Sequence, residues 1–241
     1  MLPDKELSII LPCYNEAANI PLIFEKFKEA IGNDDFLEII LVNNGSTDNS
    51  ASVFEAERLR HNDPRFRITR VEQNQGYGFG ILSGLKAAYG KVLAWTHADL
   101  QTPPQDVLRA YQKYKEINDP MTLIKGKREG RAIVPALFTW GMQTLSSYAL
   151  KVDLEDIAAQ PKVFSREFYE KYLNKEAPYD FSLDLFAMYW AMKEGKVAEI
   201  PVVFEKRLHG EAKGGGNLKS RIKISQRTFK YIFELQKKLG V

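Results

Sequence analysis

Leu93-Ala-Trp-Thr-His-Ala-Asp-Leu-Gln-Thr-Pro-Pro104 decides how this 241-residue chain is read. The apolar run from Val92 to Trp95 has the length and composition of a buried strand. It stops at His97-Ala98-Asp99, where polar groups would stand at the strand's carboxyl end. Pro103 and Pro104 then exclude further ladder pairing, and Pro104 suits the first turn of a helix. A buried strand that delivers Asp99 and Gln101 to a sheet edge suits a divalent metal carried by phosphates. Mg²⁺ and Mn²⁺ take oxygen ligands, and one or two protein carboxylates plus substrate phosphates suffice. The simpler alternative is an Asp that caps the following helix.

Outward from this stretch, strands and helices alternate. Leu7 to Leu11 is a short apolar strand ended by Pro12-Cys-Tyr-Asn-Glu16. Ile20, Ile23, Phe24, Phe27 and Ile31 recur at helical spacing, with Asn19 as the cap, Pro21 in the first turn and Gly32 as the stop. Glu38 to Val42 is a second strand that runs into Asn43-Asn-Gly-Ser-Thr-Asp48, with Asp48 placed to cap the next helix. Arg67 to Val71 is a third strand, Gly76 to Tyr89 a helix, Lys91 to Thr96 the fourth strand and Gln105 to Ile117 a helix. Met121 to Lys125 is a fifth strand. This order predicts an α/β fold: a mostly parallel central sheet flanked by helices.

The second half changes character. Ala132 to Leu150 carries no charge, yet Pro135, Gly141, Gln143 and several Ser and Thr make it too polar for a spanning helix. It reads as an interfacial or core amphipathic helix. Gln160 to Phe164 reads as extended, with Ser165 capping a short aromatic helix. Ser182 caps a helix over Leu183 to Glu194, and Lys196 to Phe204 is a strand. Leu208 to Asn217 is a polar loop holding three consecutive glycines, and Leu218 to Leu239 is a basic helix. We expect one domain over 1–241, with a ligand-binding half over 1–130, a second half over 131–205 and a basic loop and helix over 206–241.

Cys13 is the only cysteine, so no internal disulfide and no cysteine-based metal site can form. The first residues lack the charged-then-apolar pattern of a secretion signal, which predicts a cytoplasmic protein. The net charge of +3 is uneven: residues 206–241 carry a balance of +8, which leaves −5 on the rest. A basic tail on a mildly acidic body suits an anionic partner such as phosphate or a lipid surface. Phe229, Tyr231 and Phe233 interleave with those charges as nucleic-acid stacking surfaces do. The strand-end motifs outweigh that reading, and no nucleic-acid partner is expected.

Ligands of open parallel sheets bind at the carboxyl ends of strands. Three such ends here are polar and distinctive: Pro12 to Glu16, Asn43 to Asp48 and His97 to Gln101. In order and spacing they resemble the inverting glycosyltransferases of family 2, with the GT-A (Rossmann-like) fold. Within that family the chain is most similar to the dolichyl-phosphate mannosyltransferase-like group. Asn74-Gln-Gly76 with its helix, Gly126-Lys-Arg128, and Ile200 to Arg207 followed by Gly210 and Lys213 extend the resemblance over roughly residues 7–215.

The resemblance implies a nucleotide-diphosphate sugar bound by Pro12, Tyr14, Glu16, Asn44, His97, Ala98 and Asp99. Tyr14 would lie beside the base, although a packed core ring is its alternative. Asp99, with Gln101, would hold Mg²⁺ or Mn²⁺ as a Lewis acid on the leaving diphosphate. Arg128, Arg207 and Lys213 would supply positive charge around phosphates, Arg128 having a surface ion pair as its alternative. Three departures stand out. Asn43-Asn44 replaces the family's paired Asp, His97 replaces the first Asp of the Asp-Ala-Asp motif, and no Lys or Arg lies between Arg131 and Lys151.

The acceptor is read in two ways. A polyprenyl phosphate is already deprotonated and needs no general base. A sugar or protein hydroxyl needs one, and Asp184 is the candidate, against a cap-adjacent surface role. A non-catalytic sugar-nucleotide binder is the third reading. The apolar 132–150 segment and the basic tail (Lys219, Arg221, Lys223, Arg227, Lys230) are expected to form a peripheral membrane surface beside the acceptor.

Overall fold

A computed structural model describes residues 5–130, 144, 147–207, 209 and 218–239. Its strands are β1 (Leu7–Cys13), β2 (Leu37–Asn44), β3 (Phe66–Val71), β4 (Val92–Trp95), β5 (Thr122–Arg128), β6 (Lys162–Ser165) and β7 (Lys196–Val202). They form one seven-stranded sheet in the order β3-β2-β1-β4-β6-β5-β7. All neighbours run parallel except at β6, which is antiparallel to both β4 and β5. The mostly parallel α/β sheet expected from the alternation is therefore present. The extended Gln160–Phe164 segment turns out to be an interior strand that joins its two halves.

Both faces of the sheet are covered, which is why β1 and β2 read as continuous apolar runs. Helices α1 (Ile20–Ile31), α2 (Ser50–His61) and α4 (Pro104–Ile117) pack on the face presenting Ile9, Leu11, Ile39 and Leu41. Helices α3 (Tyr77–Ala87) and α6 (Ser182–Glu194) pack on the face presenting Ile10, Ile40, Leu93 and Trp95. A short turn, α5 (Arg166–Phe168), runs into a π-helical turn over Tyr169–Leu173. Ile232 and Leu235 of the basic helix α7 (Leu218–Leu239) join the α6 side of the core. Each fully buried side chain of this size stabilises the fold by about 1.5–3 kcal/mol. Among the described residues no helix is long and apolar enough to cross a membrane.

Local chemistry sets the element ends. Pro21 opens α1, and Gly32 ends it at φ 50°. Asn19 precedes α1, but its amide donates to Glu16 (2.5 Å) rather than capping the helix. Asp48 accepts from Ser50 N–H at the start of α2 (3.0 Å), and Ser165 Oγ accepts from Phe168 N–H (2.8 Å). Helix α3 stops at Ala87 rather than Tyr89, because Glu38 Oε1 takes the Tyr89 N–H (2.6 Å) and Ser8 Oγ the Gly90 N–H (2.7 Å). The carboxylate at the start of α6 is Asp180, which accepts from Ser182 N–H (2.9 Å); Ser182 Oγ does not act as the cap. Strand β7 ends at Val202 rather than Phe204, because the next residues turn to pair with Gln101, where Glu205 N–H donates to Gln101 O (2.8 Å).

Candidate active site

Sheet order brings the three polar strand ends together. β2, β1 and β4 are adjacent and parallel, with Cys13 in register with Asn43 and Ile10 with Trp95. From β1 the chain steps to β2 and β3 on one side, then returns across β1 to enter β4 on the other, so the β1/β4 boundary is a topological switch point. The crevice above such a boundary is where open α/β sheets bind ligands. Pro12 lies near the end of β1 with Tyr14 and Glu16 just beyond it, Asn43 and Asn44 close β2, and His97, Ala98 and Asp99 follow β4.

The loop after β4 is tightly specified. Asp99 is buried, and its Oδ1 accepts from Gln101 N–H (3.1 Å). Leu100 between them holds φ at 57°. Asp99 Oδ2 accepts from Arg207 Nη2 (2.5 Å), and Arg207 Nη1 lies 3.8 Å from Glu16 Oε1. Gln101 Nε2 donates to Glu205 O (3.1 Å). Arg207 therefore converges on the strand ends from beyond β7, although the two segments are far apart in sequence. Lys213 lies outside the described residues.

Asn44 is occupied structurally. Its side chain donates to Gly76 O (3.0 Å), and its carbonyl accepts from Asn74 Nδ2 (2.9 Å), which fixes the turn into α3. Asn43 Oδ1 accepts from Ser46 N–H (3.1 Å). Arg128 donates through its backbone N–H (2.9 Å) and Nε (2.8 Å), and also through Nη2, to Asp156. Its guanidinium stands 5.4 Å from the Phe204 ring centroid. Cation–π geometry and a carboxylate thus hold this arginine at the end of β5.

Asp184 is buried on α6, not at the surface. Its Oδ1 accepts from Gln160 Nε2 (2.9 Å) and from Lys162 Nζ (3.0 Å). Lys162 is fully buried on β6 and also donates to Ile157 O (2.7 Å) and Ala159 O (2.8 Å). Burial pushes the Lys162 ammonium below its usual range, while Asp184 pulls it back up. Gln160 Nε2 also reaches the Tyr77 hydroxyl (3.3 Å). The Tyr77 hydroxyl is raised well above its ordinary value by burial first, then by Asp184 and Asp99. The ring of Tyr77 stacks on Phe181 (4.9 Å) and meets His97 edge-on (6.1 Å), and His97 in turn meets Phe204 (6.4 Å). Burial lowers His97 from its ordinary value, against the pull of Asp99 and Asp184.

Sequence reading missed Tyr77, Lys162 and Gln160. Tyr77 sits in a glycine-rich helix start, where Gly76 (φ 122°) and Gly78 leave room for the 178–181 loop. A Cβ at Gly76 would meet Tyr179 O at 2.3 Å, and one at Gly78 would meet Pro178 O at 2.5 Å. Lys162 lies between Pro161 and Val163 in an extended apolar run, and that was the one available hint of its burial.

Among the described residues no three His, Cys, Asp or Glu side chains form a metal cage. The donor set is one strand-end carboxylate, with Gln101 two residues on. That set fits Mg²⁺ or Mn²⁺ arriving with phosphate oxygens, and it does not fit a cation held by protein alone. A separate groove of about 550 Å³ between α2 and the edge strand β3 shares only Asn43 with these motifs.

Three comparisons bear on this arrangement. The family model described as glycosyl transferase family 2 matches residues 8–173. An uncharacterised glycosyltransferase of Bacillus subtilis, YkcC, is 27% identical over 225 residues, covering 91% of this chain and 66% of the relative. An undecaprenyl-phosphate 4-deoxy-4-formamido-L-arabinose transferase of Yersinia enterocolitica is 33% identical over 128 residues, covering 52% of this chain and 38% of the relative. The aligned part of the chain spans less than two thirds of these curated relatives. Among solved structures, glucosyl-3-phosphoglycerate synthase of Mycobacterium tuberculosis with Mn²⁺, UDP-glucose and phosphoglyceric acid superposes with a TM-score of 0.72 at 15% identity, over 97% of this chain and 80% of that one. The mannosyltransferase PcManGT of Pyrobaculum calidifontis with GDP-mannose and Mn²⁺ gives 0.62 at 20% identity, over 94% and 65%. At these identities the likeness speaks for the fold.

Proposed function

Because the chain belongs to glycosyl transferase family 2, we propose that it moves a sugar from a nucleotide-diphosphate sugar to a polyprenyl phosphate at a membrane surface, with inversion. The observation that carries the donor half is the convergence of Tyr14, Glu16, His97 and Asp99 on the β1/β4 switch point. Tyr14 flanks the base. Asp99, with Gln101, holds the divalent cation, which neutralises charge on the departing diphosphate. Arg207 and Arg128 add positive charge around the phosphates. Residues 1–130 form the donor half and 131–205 the acceptor half.

Asp184 supports the choice of acceptor. A hydroxyl nucleophile needs a base to take its proton, and that base needs a free, poorly solvated lone pair. One Asp184 oxygen already accepts from Lys162 Nζ and Gln160 Nε2, so the buried carboxylate is committed to the β6–α6 contact. A phosphate nucleophile is anionic at neutral pH and attacks the anomeric carbon opposite the leaving diphosphate without such a base. The undecaprenyl-phosphate transferases among the relatives agree with this choice. Lys230 and Arg227 of α7 are exposed while Ile232 and Leu235 are buried, so the helix offers its charge outward, as a surface on an anionic bilayer requires.

The test is a panel of radiolabelled nucleotide sugars with Mn²⁺ and short-chain polyprenyl phosphate. We expect label in the organic phase, lost in excess chelator and in Asp99→Ala. Label transferred only to water-soluble glycans would move the function to a hydroxyl acceptor, and binding without transfer would make the protein a sugar-nucleotide binder.

A further inference from the structure

The loop that leads into α6 carries two aromatic rings that the fold leaves in water. Tyr179 is 53% exposed and Phe181 40%. The loop itself is fastened in place. Phe79 N–H donates to Tyr179 O (3.0 Å), Asp180 Oδ1 accepts from Ser182 N–H (2.9 Å), and Gly76 and Gly78 leave room for the loop's carbonyls. The rings are held as well: Tyr179 meets Phe79 edge-on (5.0 Å) and Phe181 stacks on Tyr77 (4.9 Å). A fixed loop that keeps neighbouring rings exposed is the pattern of a contact surface, whereas apolar side chains scattered singly are not.

Position says which contact. Inward, Phe181 leads through Tyr77 to His97, whose imidazole meets the Tyr77 ring at 6.1 Å, and Asp184 follows in the first turn of α6. Outward, the loop approaches the basic helix α7. Tyr231 of α7 meets Phe186 of α6 (6.5 Å), and its hydroxyl is raised by burial first and then by the Asp180 carboxylate. Arg227 and Lys230 on the same helix are exposed. The two rings therefore lie between the strand-end crevice and the basic helix.

A polyprenyl phosphate has two unlike ends, an anionic head and an apolar chain without hydrogen-bonding groups. With its head in the crevice, its chain must leave over some part of the protein surface, and apolar surface costs the chain least. Aromatic rings supply a large apolar area at low cost in side-chain freedom. The two rings offer one hydroxyl between them, which leaves most hydroxyls of a glycan without a partner. We infer that Tyr179 and Phe181 form the surface on which the first isoprene units of the acceptor lie as its chain leaves the site toward the bilayer. This rests on the polyprenyl-phosphate reading above.

Acceptor length separates this contact from the chemistry. Isopentenyl phosphate and farnesyl phosphate present the same head on a short and a longer chain, so the ratio of their kcat/KM values cancels effects on the donor and on transfer. The wild type should favour farnesyl phosphate. In Phe181→Ser and in Tyr179→Ser that preference should fall about tenfold, the size expected for loss of most of one ring's apolar contact, and it should fall through KM. Phe181→Leu should keep most of the preference. Leu59→Ser, which removes an exposed apolar side chain from α2 on the other face of the sheet, should leave it unchanged. No length preference in the wild type, an unchanged preference in both serine variants with native thermal unfolding, or equal losses with both acceptors would overturn the inference and leave transfer to a lipid phosphate standing. Failure of the wild type to transfer to either phosphate would instead overturn the acceptor reading, and this inference with it.

Discussion

Replacing Lys162 with Met is the sharpest probe of the buried network behind the site. The ammonium has three acceptors, Ile157 O at 2.7 Å, Ala159 O at 2.8 Å and Asp184 Oδ1 at 3.0 Å, and no exposure. Lys162→Met leaves a buried carboxylate with one amide donor and two carbonyls without theirs. Breaking a buried ion pair from one side costs about 3–5 kcal/mol. With a urea dependence of about 3 kcal/mol per molar, the unfolding midpoint should fall by about 1–1.7 M. The double variant Lys162→Met/Asp184→Leu removes the orphaned charge and should be more stable than Lys162→Met. Asp184→Asn gives the pH signature. Burial lowers the folded-state value of Lys162, and Asp184 opposes that shift. A lysine lowered on folding binds fewer protons in the native state, so its penalty is full below the folded value and relieved as pH rises toward about 10.4. Without Asp184 the folded value drops further, so the stability gap between Asp184→Asn and wild type should be widest at the low end of the range and narrow as pH rises toward the ordinary lysine value. Lys162→Met unfolding within 1 kcal/mol of wild type, or a gap independent of pH, would refute the buried-pair reasoning.

Gly78→Ala should lower the melting temperature although alanine favours a helix by about 1 kcal/mol, because its Cβ would press on the 178–181 loop at a cost of about 1–3 kcal/mol; a raised melting temperature would separate that loop from α3. Glu38→Ala removes the acceptor of Ser8 Oγ (2.6 Å) and Tyr89 N–H (2.6 Å) and the partner of Arg67. Urea unfolding should show a loss of about 3–5 kcal/mol. Flotation at low salt should bring the protein up with anionic but not neutral vesicles, and 1 M salt, where screening acts within about 3 Å, should release it; equal failure with both vesicle types would remove the membrane from the proposed function.

The strand-end cluster was legible because its signals are local. An apolar run that ends in His97-Ala-Asp99, with prolines behind it, announces a strand end by itself, and three such ends predict a crevice. Long-range pairing was not legible. The antiparallel insertion of Lys162–Ser165 between β4 and β5 depends on partners about 40 and 70 residues away in the chain. Lys162 looked like an ordinary lysine, since only paired lysines survive full burial and the partner lies on α6. Asp184 looked like a surface residue near a helix start. Yet its helix is apolar on nearly every face, from Leu183 through Tyr189, which is the pattern of a buried helix, and its neighbours already implied burial. Arg128 and Arg207 were found as cations, but their Asp156 and Asp99 partners were not. The expected membrane segment over 132–150 lies largely outside the described residues; in its described part Tyr148 is exposed and Leu150 buried.

The central claim is that a nucleotide-bound cation sits on Asp99 at the β1/β4 switch point. Crystals grown with Mn²⁺ and a nucleoside diphosphate, measured at the manganese absorption edge, test it most directly. One anomalous peak is expected within coordination distance of Asp99, beside the diphosphate, with the base next to Tyr14. A peak bound elsewhere, or a diphosphate seated away from Asp99, would contradict it.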